Sequence, residues 1–547
     1  GLHAVGYVAY DAAPAFDPAL AARRRAGMPL LWFGVFREPR DATAMLAAAT
    51  PDAGSARWEP SASRAEWDAA IECARAAIGR GDFYQVNHTL RLRAPAPEDA
   101  LALWARLRDA QGREAYHAFL DIGGAQVVSA SPELFFRREG GRIETRPMKG
   151  TARRGRFPAE DDARRAALLA SPKERAENVM IVDLLRNDLG RVAEVGSVRV
   201  PRLFDAERYP TVWQMTSTVE ATLRADATLV AIFDALFPCG SVTGAPKVAA
   251  TRFIAERECS ARGVYCGAIG VVRPGGDCTF NVAIRTLVVY DGVAEYGAGG
   301  GITWDSAPAA EYDEALAKAA VLTTSAPTFE LLETLLLEGG EYPRLERHVE
   351  RAGASARYFG YADPRAAMRA ALAAHASERG AAGRWRVRAL ADHDGRVRIE
   401  STALAGDAGD ALLPVALART PVSRDDRFLF HKTTHRATYD ARRAQWPDAF
   451  DVLLWNEEGE LTELTIGNVV LELDGERWTP PVECGLLAGT FRAELLERGA
   501  VRERVMRITD LARASRVWLV NGVRGWVPVV VARPDDPPTA DDPGANR

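Results

Sequence analysis

Between Leu322 and Phe329 one strand–helix pattern stops and another starts, across Thr323-Thr324-Ser325-Ala326-Pro327. The stretches on either side do not resemble each other, and neither repeats internally. A chain of 547 residues divided in this way cannot share one core, and two to four domains are expected. We expect one domain over residues 1–325, a linker at 323–328 and a second domain over 328–532. Residues 1–60 are read as a shortened N-terminal part of the first domain. The chain starts at Gly1 rather than Met, so the true N-terminus is expected upstream. The Pro- and Asp-rich tail over 533–547 is expected to be disordered.

Composition excludes several classes. Hydrophobic residues make up 47% and charged residues 26%, as in soluble globular proteins. Basic residues number 69 and acidic residues 74, a net charge of −5, which offers no basic face for a nucleic acid. The six cysteines, Cys73, Cys239, Cys259, Cys266, Cys278 and Cys484, form no CxxC pair, which fits a reducing cytoplasm. No apolar run spans a bilayer. Arg23-Arg24-Arg25, the apolar Pro29–Phe36 and Ala47-Ala48-Ala49 follow the order of a targeting segment, but the run is short. We read it as a buried strand after a charged loop.

From Ser63 a capped amphipathic helix is expected, with Trp67, Ile71, Ala74 and Ile78 on one face and an end near Gly79-Arg80-Gly81. Strand-like runs follow at 126–129, 134–136, 267–272 and 283–289. Gly-rich turns such as Arg138–Arg142 join neighbours as hairpins. The fold class is therefore mixed α+β with large, mostly antiparallel sheets rather than a doubly wound parallel one.

Chemistry concentrates in a few clusters. Ser131-Pro132-Glu133-Leu134 puts an acid at the head of a strand, and Lys149 stands in Arg146-Pro147-Met148-Lys149-Gly150-Thr151. Glu174 and Glu177 share one helix face, and Glu311 and Glu314 repeat that spacing on a later helix. Either pair alone reads as a solvated face. Facing each other, two such turns suit a hard cation such as Mg²⁺, completed by water and substrate. The run Gly297-Ala298-Gly299-Gly300-Gly301 before the second acidic helix lets backbone N–H groups approach an anion.

These motifs, with Gly81–Asn87, Val182–Leu189, Gly244-Ala245-Pro246-Lys247 and Ala283-Ile284-Arg285-Thr286, resemble the chorismate-utilising enzymes over residues 1 to 325. That family includes anthranilate, isochorismate, salicylate and aminodeoxychorismate synthases. The resemblance implies a chorismate site and roles for its residues. Glu177 and Glu314 match Mg²⁺ ligands, with Glu174 and Glu311 nearby. Tyr265, Arg285, Gly299, Gly300 and Gly301 match groups that hold the substrate's carboxylates, and Ser241 and Gln214 join them as substrate contacts. Glu133 matches the acid that protonates the departing 4-hydroxyl. Isochorismate-forming relatives carry a lysine base where this chain has Gln85, which disfavours attack by water. Lys149 matches the lysine of aminodeoxychorismate synthases, where anthranilate synthases usually carry alanine. It implies attack by the lysine on C2, loss of the 4-hydroxyl, then ammonia entering at C4 and expelling the lysine. Gln214 departs from the histidine of many relatives and cannot carry a proton. With no GxCxG-type nucleophile in the chain, a separate glutamine amidotransferase subunit is expected to supply ammonia.

Downstream, Leu345–Arg351, Phe430–Thr434, Leu461–Val469 and Gly489–Arg492 resemble the class IV aminotransferases over about residues 328 to 531. This implies a two-subdomain domain that binds pyridoxal phosphate. Lys432 matches the lysine that bonds the cofactor, and Glu463 the acid beside its pyridine nitrogen. Arg351 and Thr490 match phosphate contacts, helped by amides around Ile466–Gly467. Gly522 stands where relatives often have Ser or Thr. Relatives commonly dimerise, so a homodimer through this domain is expected.

Lyase and transaminase chemistry use the same parts, and the second half alone does not choose between them. Two readings follow. One is a synthase–lyase fusion making 4-aminobenzoate. The other is an anthranilate synthase-like first half with a branched-chain or D-amino acid type aminotransferase behind it.

Overall fold

The computed structural model describes residues 1–48, 56–112, 115–323, 327–404 and 412–532. Residues 324–326 of the linker and the 533–547 tail lie outside these residues. The chain divides into two compact units. One comprises Gly1–Arg154 and Arg164–Ala326, the other Gly155–Ala163 and Pro327–Arg547.

In the first unit, a nine-stranded and a seven-stranded sheet are built from antiparallel pairs. The expected helix runs over Arg64–Arg80. Ser63 caps it, with Glu66 reaching back to the Ser63 amide, and Gly81 ends it at φ 82°. Such a cap contributes about 1 kcal/mol and fixes where the helix starts. Its buried face, Trp67, Ile71 and Ala74, joins the main core.

Three details differ from the sequence reading. Leu31–Phe36 is a strand, but it forms the sheet edge and leaves Leu31, Val35 and Phe36 half or more exposed. The glycine run is part of an extended strand, Val293–Ile302, paired along its length with Gln85–Pro95. A Cβ on Gly297 would come within 2.3 Å of the Tyr265 ring, and one on Gly299 within 2.2 Å of the His88 carbonyl. Close packing therefore demands these glycines. Finally, the run 283–289 breaks: Arg285 adopts φ 51°, and the strand covers Thr286–Tyr290. A left-handed residue ends the ladder and turns the arginine out of it.

In the second unit, Leu331–Glu338, Arg384–Ala391 and Val397–Ala403 form an antiparallel sheet. The helices Leu345–Phe359 and Arg365–Arg379 share an apolar core with it, through Val349, Met368, Leu372 and Val387. Beside it, six strands close on themselves: Leu461–Leu464, Asp451–Trp455, Leu413–Leu417, Gly525–Ala532, Arg516–Asn521 and Gly467–Leu473. This is a small barrel with its own core, including Leu453, Leu471 and Leu519. The mixed α+β class and the two-subdomain second half are both present.

Candidate functional site

Each unit holds a cleft. In the first, a space of about 270 Å³ is lined by the whole set expected there: Glu133, Lys149, Glu174, Glu177, Gln214, Ser241, Tyr265, Arg285, Gly299, Gly300, Gly301, Glu311 and Glu314. Glu133, just before the strand Leu134–Glu139, is 3% exposed and accepts from Ser241 Oγ at 2.6 Å. Burial pushes its carboxyl up to about 7, against the hydrogen bond from Ser241 and the charge of Lys149. It can therefore carry a proton at neutral pH, as an acid catalyst must.

Lys149 lies on the strand Met148–Arg153, and its carbonyl accepts from Asn178 Nδ2 at 3.2 Å. Burial lowers its pKa; Glu177 opposes that shift and Lys318 adds to it. Burial and Lys318 prevail and leave a larger share of free amine. A Cβ on Gly301 would lie 2.4 Å from Lys149 Nζ, so the bare backbone is what admits the amine.

Helix Pro172–Gly190 presents Glu174 and Glu177, and helix Pro308–Ala319 presents Glu311 and Glu314. Burial and the neighbouring Glu177 raise the Glu174 carboxyl. Burial raises Glu311, with Glu314 adding to the shift. The raised Glu174 and Glu311 suit a cation, while Glu314, against its burial, is held below the usual carboxylate range by Lys318. Among the described residues no three acidic, histidine or cysteine side chains converge as a cage. Mg²⁺ needs no such cage, since it takes one or two carboxylates and fills its shell with water and ligand oxygens. The donor set fits that sparse mode.

Lys318, to which sequence reasoning assigned no role, pairs with Glu314 at 2.7 Å and donates to the Gly299 carbonyl at 2.9 Å. Its own carbonyl accepts from Arg285. Its signal was its place one turn after Glu314 on the same helix face. Tyr265 is buried and keeps its phenol proton, so it can donate. Gln214 lines the cleft, but both ends of its amide are bonded elsewhere. Nε2 donates to the Gly150 carbonyl at 2.9 Å, and Oε1 accepts from Thr151 Oγ1 at 3.0 Å. These bonds tie it to the lysine strand and leave a second N–H and a second lone pair on the amide.

The second cleft, about 410 Å³, is lined by Arg351, Lys432, Glu463, Ile466, Gly467 and Thr490, with His348 and Gly522. The Lys432 carbonyl accepts from the Leu332 amide at 3.0 Å. Burial lowers its amine to about 8, and Arg351 reinforces this. Glu463 is 3% exposed, and burial raises it to about 7. Three donors hold it: Tyr439 Oη at 2.7 Å, the Leu487 amide at 3.1 Å and Asn468 Nδ2 at 3.3 Å. A Cβ on Gly489 would meet Asn468 Oδ1 at 2.0 Å, and one on Gly522 would meet Thr490 Oγ1 at 3.2 Å. These bare positions form a cradle at the start of helix Thr490–Glu497, where an anion is favoured. A buried acid, a low-pKa lysine and an anion cradle together fit pyridoxal phosphate.

Arg351 is held by Glu333 at 2.6 Å and by the Ala488 carbonyl at 3.0 Å. His348 bridges Glu333, at 2.6 Å, and Thr490, at 3.1 Å. Sequence reasoning missed Glu333; its signal was a lone acid inside the apolar strand Leu331–Glu338. The Ile466 amide donates to Asp451 Oδ2 at 3.3 Å.

Comparison with known proteins fits this geometry. Residues 1–324 match the family model described as chorismate binding enzyme. The chain belongs to the chorismate binding enzyme family. Residues 330–531 match the model for amino-transferase class IV. Within the first region the chain is 43% identical over 282 residues to anthranilate synthase component 1 of Streptomyces coelicolor, covering 51% of this chain and 55% of the relative. It is 43% identical over 261 residues to aminodeoxychorismate synthase component 1 of Klebsiella aerogenes, covering 48% and 58%. The chain thus spans a little over half the length of these relatives. Anthranilate synthase component I from Streptococcus pneumoniae shares the fold at TM-score 0.52 and 29% identity, over 59% of this chain and 80% of that one. Among the described residues, no helix is long and apolar enough to cross a membrane.

Proposed function

We propose that the first unit converts chorismate and ammonia to 4-amino-4-deoxychorismate, and that the second removes pyruvate from it to leave 4-aminobenzoate, for folate. The observation that carries this reading is Lys149, an amine of lowered pKa in the same cleft as the proton-bearing Glu133. Relatives named for both anthranilate and aminodeoxychorismate synthesis match equally well, so the choice rests on that lysine.

Arg285, Tyr265 and the Gly299–Gly301 backbone bind and orient the two carboxylates of chorismate. A guanidinium fork and a phenol donor suit that work. The Lys149 amine donates its lone pair to C2, both ring double bonds shift by one place, and the C4–O bond breaks. Glu133 gives its proton to that oxygen, which leaves as water. Ammonia then bonds to C4, the double bonds shift back, and the lysine nitrogen departs from C2. Glu177 and Glu314, flanked by Glu174 and Glu311, would hold Mg²⁺, which neutralises substrate carboxylate charge. A separate glutamine amidotransferase supplies the ammonia in this reading.

In the second unit, Lys432 would hold pyridoxal phosphate, with Glu463 at its ring nitrogen and Arg351, Thr490 and Gly467 around its phosphate. When bound, that group supplies an electron sink. Lys432, with its amine near neutrality, takes the proton from C4 of the substrate ring. As the electrons of that C–H bond form the C3–C4 double bond that completes the aromatic ring, the C3–O bond breaks, and the departing enolpyruvate takes up a proton to become pyruvate. Glu463, itself held by Tyr439 and Asn468, would fix the ring end of that group. The free cysteines support a cytoplasmic setting.

The test is the pH profile of amination with ammonium as nitrogen source, at a constant concentration of free ammonia. Glu133 must be protonated, so the rate is expected to fall about tenfold per unit above pH 7. Lys149 must be unprotonated, so the rate falls again on the acid side. Glu133→Gln should remove the alkaline limb and most of the activity. A variant that keeps both would remove Glu133 from this role.

A further inference from the structure

Gln85 is fully buried at the start of Gln85–Pro95, between the strands Gly244–Ala245 and Val293–Ile302. Neither Nε2 nor Oε1 of its amide has a hydrogen-bond partner. A buried amide with both ends open is rare, because it forgoes water at both ends and gains nothing in return. The open end is not randomly placed. Gln85 Nε2 lies 2.6 Å, and Lys149 Nζ 2.4 Å, from the single point a Cβ on Gly301 would occupy. The two nitrogens are therefore at most 2.4 plus 2.6, or 5.0 Å, apart.

We propose that Gln85 is a positioning residue for Lys149, its amide oxygen accepting a hydrogen bond from the lysine amine as that amine bonds to the substrate ring. A half-turn about Cγ–Cδ exchanges Nε2 and Oε1 and brings the acceptor to the lysine side. The inference rests on the reading of Lys149 as nucleophile. As the Nζ–C2 bond forms, the nitrogen gives up its lone pair, keeps both protons and gains positive charge. The electrons pass through the ring to the leaving oxygen, which takes its proton from Glu133. The Gln85 oxygen accepts one of the N–H groups on the charged nitrogen. It takes no proton itself, and it fixes the direction of the lone pair before attack. Because Gly301 has no side chain, nothing stands between the two groups.

Three variants in the full chain, assayed with chorismate and ammonium, test this. Gln85→Met keeps length but has no acceptor; kcat for amination is expected to fall about 10- to 100-fold, with KM for chorismate within about threefold. Gln85→Asn keeps the amide but withdraws it by one methylene, and should show the same split. Gln85→Glu keeps an acceptor in place but adds a carboxylate that raises the Lys149 pKa, so its kcat should recover toward the parent value as the pH is raised, which Gln85→Met should not do. Lys149→Ala, run beside them, separates the two claims. If it still makes 4-aminobenzoate, the underlying reading fails and this one with it. If it is inactive while Gln85→Met or Gln85→Asn keeps the parent kcat, the present inference alone is overturned. Equal losses in kcat and KM across all three variants would also overturn it, since that is what a packing role predicts.

Discussion

Lys149→Ala is expected to end 4-aminobenzoate formation, lowering it by about a thousandfold or more. A residue that forms the covalent bond leaves little behind when removed. Chorismate should still bind, because Arg285, Tyr265 and the glycine strand are untouched. Ammonia can then reach C2 directly, so the residual product is expected to be anthranilate. The fold should survive. Lys149 is tied in through its backbone, by Asn178 and by its strand pairing with Val212–Thr222. Removing an amine that burial already disfavours should change stability by no more than about 1 kcal/mol. Chromatography separates the two aminobenzoates, and unchanged 4-aminobenzoate output would show that the lysine is not the nucleophile.

Lys432→Ala is expected to leave the first reaction intact and stop the second. With its pKa near 8, about a tenth of Lys432 is free amine at pH 7, against fewer than about one in a thousand for an ordinary lysine. Alanine removes both the bond to the cofactor and the proton carrier. Pyruvate release should fall by about a thousandfold or more, and 4-amino-4-deoxychorismate should accumulate. Reconstituted protein should also lose its absorbance near about 400–430 nm. Pyruvate formed at the parent rate by this variant would remove Lys432 from the chemistry.

Much of this was legible because local rules act alone. Ser63 with Glu66 and Gly81 set both ends of one helix through short-range bonds, and the Glu174/Glu177 and Glu311/Glu314 spacings place each pair on one face whatever lies opposite. Both clefts gathered the lining residues expected from ordered motifs. What was hidden depends on neighbours distant in sequence. That Gln214 bonds the Gly150 carbonyl and Thr151 depends on the register between two strands. The Ile466 amide donates to Asp451, fifteen residues upstream. Glu333 looked like an oddity in an apolar strand until Arg351 and His348 closed on it. Leu31–Phe36 read as buried because apolar composition marks a strand without saying whether it lies at an edge. The glycine run signalled close approach, but the approaching groups, the Tyr265 ring and the His88 carbonyl, come from elsewhere in the fold.

The central claim is that one chain carries chorismate to 4-aminobenzoate in two steps. The most direct measurement is product analysis after incubating purified protein with chorismate, ammonium, Mg²⁺ and pyridoxal phosphate. The account predicts 4-aminobenzoate and pyruvate in equal amounts. Anthranilate as the sole aromatic product would contradict it.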